Sequence, residues 1–159
     1  MDSIFDAILP APFGKIGVRT DGEFVREIVY LPPSMRLVAP ANAVTQRLAR
    51  QLEAYYADPD ARFDIALAPV GSAFQRRVWQ AISNVPRGKV TTYGAVARQI
   101  ASAPRAVGQA CGANVFPLVI PCHRVVGASG IGGFANHDGD GFFLDIKRWL
   151  LRHEGVMLA

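Results

Sequence analysis

The run Pro121-Cys122-His123-Arg124-Val125 sets a thiol beside an imidazole, directly after the apolar stretch over residues 115–120. A thiol is a strong nucleophile only as its thiolate, and a free cysteine, with a pKa of about 8.5, is little ionised at neutral pH. An adjacent imidazole can take the proton, and a carboxylate behind the imidazole can orient it. The chemistry to expect is nucleophilic attack by Cys122, with His123 as its base and the sulfur poised as thiolate. What that sulfur attacks must come from the rest of the chain. The other cysteine, Cys111, falls on an apolar helix face with Val107 and Asn114 and reads as a packed core thiol.

The elements that must position this pair lie in the second part of the chain. Ser72-Ala73-Phe74-Gln75 is a capping box opening a helix over residues 72–83, with Phe74, Val78, Ala81 and Ile82 as its buried face. Pro86-Arg87-Gly88 is a turn. Tyr93, Val96, Ala97 and Ile100 mark a short helix, residues 101–103 turn the chain, and Pro104 suits the first position of a helix over 104–113. Two short helices with a tight turn suggest a helix-turn-helix. Reading bases in the major groove needs long hydrogen-bonding side chains, and on the second helix only Arg105 and Gln109 qualify. Its small residues, Ala106 and Gly108 among them, allow close backbone approach instead, which suits sequence-independent contact with DNA. On these residues alone a tightly packed helix pair is an equal alternative. A glycine-rich loop over residues 127–141 follows the cysteine. A last helix over 142–154 carries Lys147, Arg148 and Arg152 as cations toward its C-terminus, with Gly155 beyond.

The first part, residues 1–70, reads as scaffold. Strands are expected over residues 14–20 and 23–31, with Asp21-Gly22 as the hairpin signal, and a third over 4–9. A helix over 42–56 places Val44, Leu48, Leu52 and Tyr55 on one face and stops at Asp58-Pro59. The boundary falls at residue 70, leaving 71–159 with all the candidate chemistry. The formal charge of +4 is unevenly spread, net −2 over residues 1–70 and net +6 over 71–159, so any polyanion-binding face belongs to the second part. Half the residues are apolar and 19% charged, an ordinary soluble composition, and no apolar run is long enough to span a membrane. The N-terminus lacks the basic and apolar regions of a secretory signal. Two cysteines make no disulfide framework, so a cytoplasmic, reduced protein is expected. No paired His or Cys spacing suggests a metal, and His137, Asp138 and Asp140 in the loop read as solvated.

Taken together, Phe74-Gln75, Val78-Trp79, Pro86 and Gly88, Tyr93, Arg105-Ala106-Val107-Gly108, Asn114, the run over 120–126, and Lys147 through Trp149-Leu150-Leu151 to His153-Glu154-Gly155 resemble the O6-alkylguanine-DNA alkyltransferases, also called methylated-DNA–protein-cysteine methyltransferases. The match covers most of residues 71–159, and the first part resembles the family's smaller domain only loosely. The fold class implied is α/β (α+β): a small N-terminal ribonuclease-H-like sheet-and-helix domain, then a C-terminal helical domain with a helix-turn-helix. The activity implied is DNA repair by irreversible, stoichiometric transfer of an alkyl group from O6 of guanine to the protein's own cysteine. No cofactor is implied. The implied partner is double-stranded DNA carrying O6-alkylguanine, with O4-alkylthymine a second candidate lesion, met by a monomer able to cluster on DNA.

By the same resemblance Cys122 is the alkyl acceptor, His123 its base through a bridging water, and Glu154 the residue that orients His123. Tyr93 donates to N3 of the departing guanine, where a hydroxyl donor stabilises developing negative charge. Asn114 ties the helix pair to the cysteine turn. The carbonyls of Val125 and Cys122 face the exocyclic amine of the base. The reacting carbon lies within the base stack, so the nucleotide must be extruded. Arg105 is the finger that fills the gap, with Ala106, Gly108 and Gln109 of the same helix against the DNA. Arg124 is expected in a structural ion pair and His153 in packing or at the surface. One departure concerns the loop: where family members often carry Gly-Tyr-x-Gly-Gly, this chain has Gly133-Phe134-Ala135 and extra residues before Lys147. Phe134 keeps a wall for the pocket without a hydroxyl, and the Ala135 N–H faces O6. Three other functions use the same features: a lesion sensor without transfer, a transcription regulator using the helix pair, and a cysteine hydrolase. Cys122 speaks against the first and the small-residue helix against the second.

Overall fold

The computed structural model describes residues 4–128, 130–131 and 141–156. The chain divides into two compact units, Met1–Val70 and Gly71–Ala159.

The first unit is an antiparallel sheet with one helix. Strands β1 (Ala7–Ala11), β2 (Gly14–Asp21) and β3 (Phe24–Leu31) run in the order β1-β2-β3. Alternation fixes which residues are buried: Ile16 and Val18 on β2, then Val25, Ile28 and Tyr30 on β3. Asp21 pairs with Phe24, so Gly22-Glu23 form the hairpin loop, and Gly22 supplies the positive φ of 60° that such a loop requires. The first strand begins later than the 4–9 expected from sequence. Its pairing runs from Ala7↔Val18 to Ala11↔Gly14 and includes Pro10, while Ile4 is exposed. A proline is tolerated because β1 is an edge strand, where the missing N–H need not enter a ladder.

Helix α1 (Ala43–Ala57) starts at Asn42, whose side chain accepts from the Thr45 N–H at 2.8 Å. Its buried residues are Thr45, Leu48, Leu52 and Tyr55. Thr45 replaces the expected Val44 because the capping box turns the threonine inward. Each large apolar side chain buried this way contributes about 1.5–3 kcal/mol.

The second unit holds α2 (Ala73–Ser83), β4 (Thr91–Thr92), α3 (Tyr93–Gln99), α4 (Pro104–Gly112), β5 (Val125–Val126) and α5 (Phe142–His153). The α2 capping box forms as the sequence predicts, between Ser72 and Gln75. Trp79 joins Val78, Ala81 and Ile82 in the buried face, and its Nε1 donates to the Ala110 carbonyl at 2.9 Å, fixing α2 to α4. Phe74 is only half-buried. Helix α3 ends in paired bonds, Ser102 N to Ala97 O (2.8 Å) and Ala101 N to Arg98 O (3.4 Å), with Ala101 at a φ of 56°. This closing motif normally uses glycine. It turns the chain so that Pro104 begins α4 at once, with Val107 and Ala110 inside. The helix pair over 93–112 is thus present. The short parallel pairing of Thr91–Thr92 with Val125–Val126 has no sequence signal of its own. It fixes the residues after the cysteine beside the start of α3. No helix among the described residues is long and apolar enough to cross a membrane.

Candidate active site

Cys122, His123 and Arg124 form a one-turn 3-10 helix that follows Pro121. The segment leading into it is tightly held. Leu118 sits at a φ of 75°, buried, a conformation that costs a non-glycine residue about 1–3 kcal/mol and persists only where the surroundings over-determine it. Asn114, just past α4, ties this segment down with three bonds. Its Oδ1 accepts from Phe116 N (2.9 Å), and its Nδ2 donates to Ile120 O (3.0 Å) and to Cys122 Sγ (3.2 Å).

The sulfur is nearly buried, Cys122 being 4% exposed. A hydrogen bond with the Cys111 thiol, then burial, pushes its pKa up, against the lowering effects of Asn114 and the Lys147 charge. The resting group is therefore a neutral thiol, which corrects the expectation of a standing thiolate: desolvation penalises the anion until a base takes the proton. Cys111 also departs from its expected role. It is only half-buried rather than packed in the core.

His123 is 1% exposed, and its Nε2 lies 2.8 Å from Glu154 Oε2. That contact places the imidazole proton on Nε2 and leaves Nδ1 with a free lone pair. Nδ1 is buried and has no hydrogen-bond partner among the described residues. Burial lowers the His123 pKa, with Glu154 acting in the opposite sense, so the ring is neutral and basic at pH 7. Glu154 is fully buried at the C-terminal cap of α5. Two bonds, Val156 N to Leu151 O and Gly155 N to Arg152 O, close the helix there, with Gly155 at a φ of 85°. The carboxylate is held from its other side by Arg124, whose Nε and Nη2 reach its two oxygens at 2.9 and 3.0 Å, while Nη1 donates to Val85 O. Arg124 thus makes its expected ion pair, on the same glutamate that orients the imidazole. His153 stacks on Trp149, with ring centroids 4.7 Å apart.

One buried residue escaped the sequence reading. Lys147 was grouped with helix-end cations, yet it is mid-helix and fully buried, with Nζ donating to the Val125 carbonyl at 2.8 Å. Burial lowers its pKa to about 8, offset in part by Cys111 and Cys122. The signal was available: Lys147 continues the buried stripe of Leu144 and Leu151 at helical spacing. Val125 is itself buried, and its carbonyl accepts from that ammonium.

The other predicted residues line the helix pair. Tyr93 opens α3 and is half-buried, and a Cβ placed on Gly108 would meet its ring at 4.0 Å. Arg105 and Gln109 are exposed on α4, with Ala106 and Gly108 half-buried between them. Phe134 and Ala135, like His137, Asp138 and Asp140, lie outside the described residues. No cluster of three metal-ligating side chains occurs among the described residues.

The site thus joins a thiol held by an amide to an imidazole with one open nitrogen and a buried carboxylate on the other. It can carry a single displacement at carbon. The His123 shift predicts the pH dependence. Because the folded-state pKa lies below about 6.5, the base stays unprotonated at neutral pH and single-turnover transfer should fall only as pH drops below that value. His123→Gln should remove this acid limb and leave a rate that rises with pH as thiolate forms. A wild-type midpoint above pH 7 in stopped-time assays would contradict the assignment of the base.

A family model described as the 6-O-methylguanine DNA methyltransferase DNA binding domain matches residues 73–156. A methylated-DNA–protein-cysteine methyltransferase of Methanosarcina acetivorans is 37% identical over 160 residues, covering 96% of this chain and 99% of its own. The crystal structure of Mycobacterium tuberculosis O6-methylguanine methyltransferase superposes with a TM-score of 0.76 at 32% identity, covering 92% of this chain and 90% of that one. A structure of the M. tuberculosis protein OGT in complex with DNA matches over the same shares, with a TM-score of 0.76 and 35% identity.

Proposed function

The chain belongs to the O6-alkylguanine-DNA alkyltransferase family, and from that premise we propose how its own residues carry out the family's repair reaction. The protein is a methylated-DNA–protein-cysteine methyltransferase in activity, transferring an alkyl group from O6 of guanine in DNA to itself. Cys122 is the acceptor. The observation that supports this is a pair of contacts on adjacent residues: the Cys122 thiol accepts from the Asn114 amide at 3.2 Å, and the His123 imidazole is oriented by a buried carboxylate at 2.8 Å.

When a flipped alkylguanine enters, the Cys122 proton passes to His123 Nδ1, through a water by family resemblance. The sulfur attacks the alkyl carbon in line. The S–C bond forms as the C–O6 bond breaks, and the electron pair leaves on guanine, where the Tyr93 hydroxyl donates a hydrogen bond to N3 and steadies the developing negative charge. His123 ends as imidazolium against Glu154, and Cys122 ends as an S-alkyl thioether. Nothing regenerates the thiol, so each molecule acts once. The displacement needs no cofactor.

Exposed Arg105 and Gln109 on α4, with Ala106 and Gly108 letting the backbone close in, form the DNA-facing side of this site. Arg105 fills the space that the extruded base leaves. The net +6 of residues 71–159 suits a phosphate backbone. The finer architecture follows the family: the first unit is ribonuclease-H-like and the helix pair over 93–112 is the helix-turn-helix. O4-alkylthymine is a second substrate of the same pocket. The protein acts as a cytoplasmic monomer able to cluster on DNA, and both cysteines are free thiols, as a reducing compartment requires.

The test is stoichiometry. A methyl-labelled O6-methylguanine duplex in excess should transfer label until one equivalent per protein is reached, then stop. Continued turnover would overturn the mechanism. Tyr93→Phe should slow the single transfer by about 10²-fold, the usual effect of one lost donor at a developing anion, while leaving duplex affinity unchanged. A loss of affinity with an unaltered rate would assign Tyr93 to binding alone.

A further inference from the structure

The turn ahead of β4 touches the residue that carries the orienting carboxylate. Lys89 N donates to Pro86 O at 3.1 Å and closes the turn, with Gly88 at a φ of 84° in its third position. Arg87 holds the second position, and its Nη1 donates to the backbone carbonyl of Glu154 at 3.2 Å. That carbonyl lies at the C-terminal cap of α5, where the helix itself supplies no donor. A Cβ on Gly88 would meet the same oxygen at 3.4 Å, so glycine lets the turn come this close. The start of the turn is tied as well: Arg124 Nη1 donates to Val85 O at 2.7 Å, while its Nε and Nη2 hold the Glu154 carboxylate. No step of the transfer uses Arg87.

We propose that Arg87 is a positioning residue for alkyl transfer: by holding the Glu154 carbonyl it aims the Glu154 carboxylate at His123 Nε2, and so keeps Nδ1 open to the Cys122 proton. The proposal rests on His123 being the base of the transfer. Carbonyl and carboxylate belong to one residue, so fixing the backbone fixes the root of the side chain. Glu154 N donates to Leu150 O at 3.0 Å, and Arg87 takes the carbonyl side. With both sides of the residue held, Oε2 stays 2.8 Å from His123 Nε2. Orientation is where small displacements cost most: a shift of about 1 Å, made far from the reacting atoms, can slow a reaction about 10²-fold.

Arg87 is exposed, and an exposed arginine in a DNA-binding unit has a competing use as a phosphate contact. The geometry favours the positioning role. A Cβ on Gly155 would stand 3.7 Å from Arg87 Nη1, so the guanidinium lies against the helix end. The two uses also differ in what they change. A phosphate contact adds to affinity and to its salt dependence and leaves the imidazole untouched. A positioning contact acts on the imidazole and leaves affinity alone.

The test compares the full-length wild type with Arg87→Met, which keeps the aliphatic stem and removes the donors. Three quantities are read: single-turnover methyl transfer, duplex affinity across a range of salt, and nitrogen NMR of the histidine rings. The His123 signals are those lost in His123→Gln protein. The wild type should show one tautomer, with the proton on Nε2. Arg87→Met should show the Nε2 and Nδ1 forms in exchange and a transfer about 10- to 10²-fold slower, with affinity and salt slope nearly unchanged. The wild-type tautomer in the variant overturns the proposal, whatever the rate. An altered tautomer with a wild-type rate overturns it too. A weaker affinity with a salt slope smaller by about 1, beside an unchanged rate, would make Arg87 a phosphate contact instead. A wild type that transfers no methyl overturns the proposed reaction, and the tautomer comparison still decides what Arg87 holds.

Discussion

Cys122→Ala should accept no methyl group from O6-methylguanine DNA, at any incubation time, while still binding the duplex with nearly wild-type affinity. Transfer requires an S–C bond at this one atom, and no other group can substitute. Cys111 stands on a different helix and has no imidazole beside it in sequence. DNA affinity should survive because phosphate contacts, not the sulfur, hold a duplex. Folding should change little. The substitution removes the hydrogen bond from Asn114 Nδ2, worth about 1 kcal/mol. Label appearing in the variant, measured after denaturing separation of protein from DNA, would show that another residue accepts the alkyl group. Parallel loss of binding would show that Cys122 has a structural role instead.

Glu154→Gln should slow transfer by about 10²–10⁴-fold and lower stability at the same time. The carboxylate serves two partners with one charge: His123 Nε2 at 2.8 Å, and Arg124 through both of its oxygens. With glutamine, an NH2 group faces either the imidazole N–H or the guanidinium. The His123 tautomer that leaves Nδ1 open is then no longer enforced. Losing a group that fixes a catalytic imidazole costs rate on this scale. Arg124, 14% exposed, would keep a charge without its counterion, and breaking a buried pair by removing one partner costs about 3–5 kcal/mol. Single-turnover rates and urea unfolding on the same preparation separate the two effects. Wild-type stability with lost activity would make Glu154 purely an orienting group. Lost stability with a wild-type rate would make it purely structural.

How legible the molecule was depends on whether a residue's role is local or tertiary. Cys122 and His123 adjoin in sequence, so their pairing is legible in five residues, and Glu154 of the His-Glu-Gly ending meets His123 as expected. The α2 capping box and Pro104 at the start of α4 are local too, and both stand where sequence alone puts them. Lys147 was misread because a lysine's default place is the surface. Its burial follows from a carbonyl supplied by Val125, distant in sequence. Cys111 is less buried than expected for a related reason: helical periodicity assigns a face but not how completely it is covered. The strand over 4–9 slid to Ala7–Ala11 because the partner strand, not local propensity, sets register. The two-residue pairing of Thr91–Thr92 with Val125–Val126 is too short for any periodicity to announce. The neutral resting state of Cys122 was also beyond the motif, since it arises from burial and from a neighbouring thiol.

The most direct test of the central claim, that Cys122 is the alkyl acceptor, is peptide-level mass spectrometry of the protein after one incubation with an O6-methylguanine duplex. The mechanism predicts a single added methyl, about 14 Da, confined to the peptide holding Cys122 and located on that sulfur by fragmentation. A methyl on Cys111 or any other residue, or an unmodified Cys122 beside repaired DNA, would contradict it.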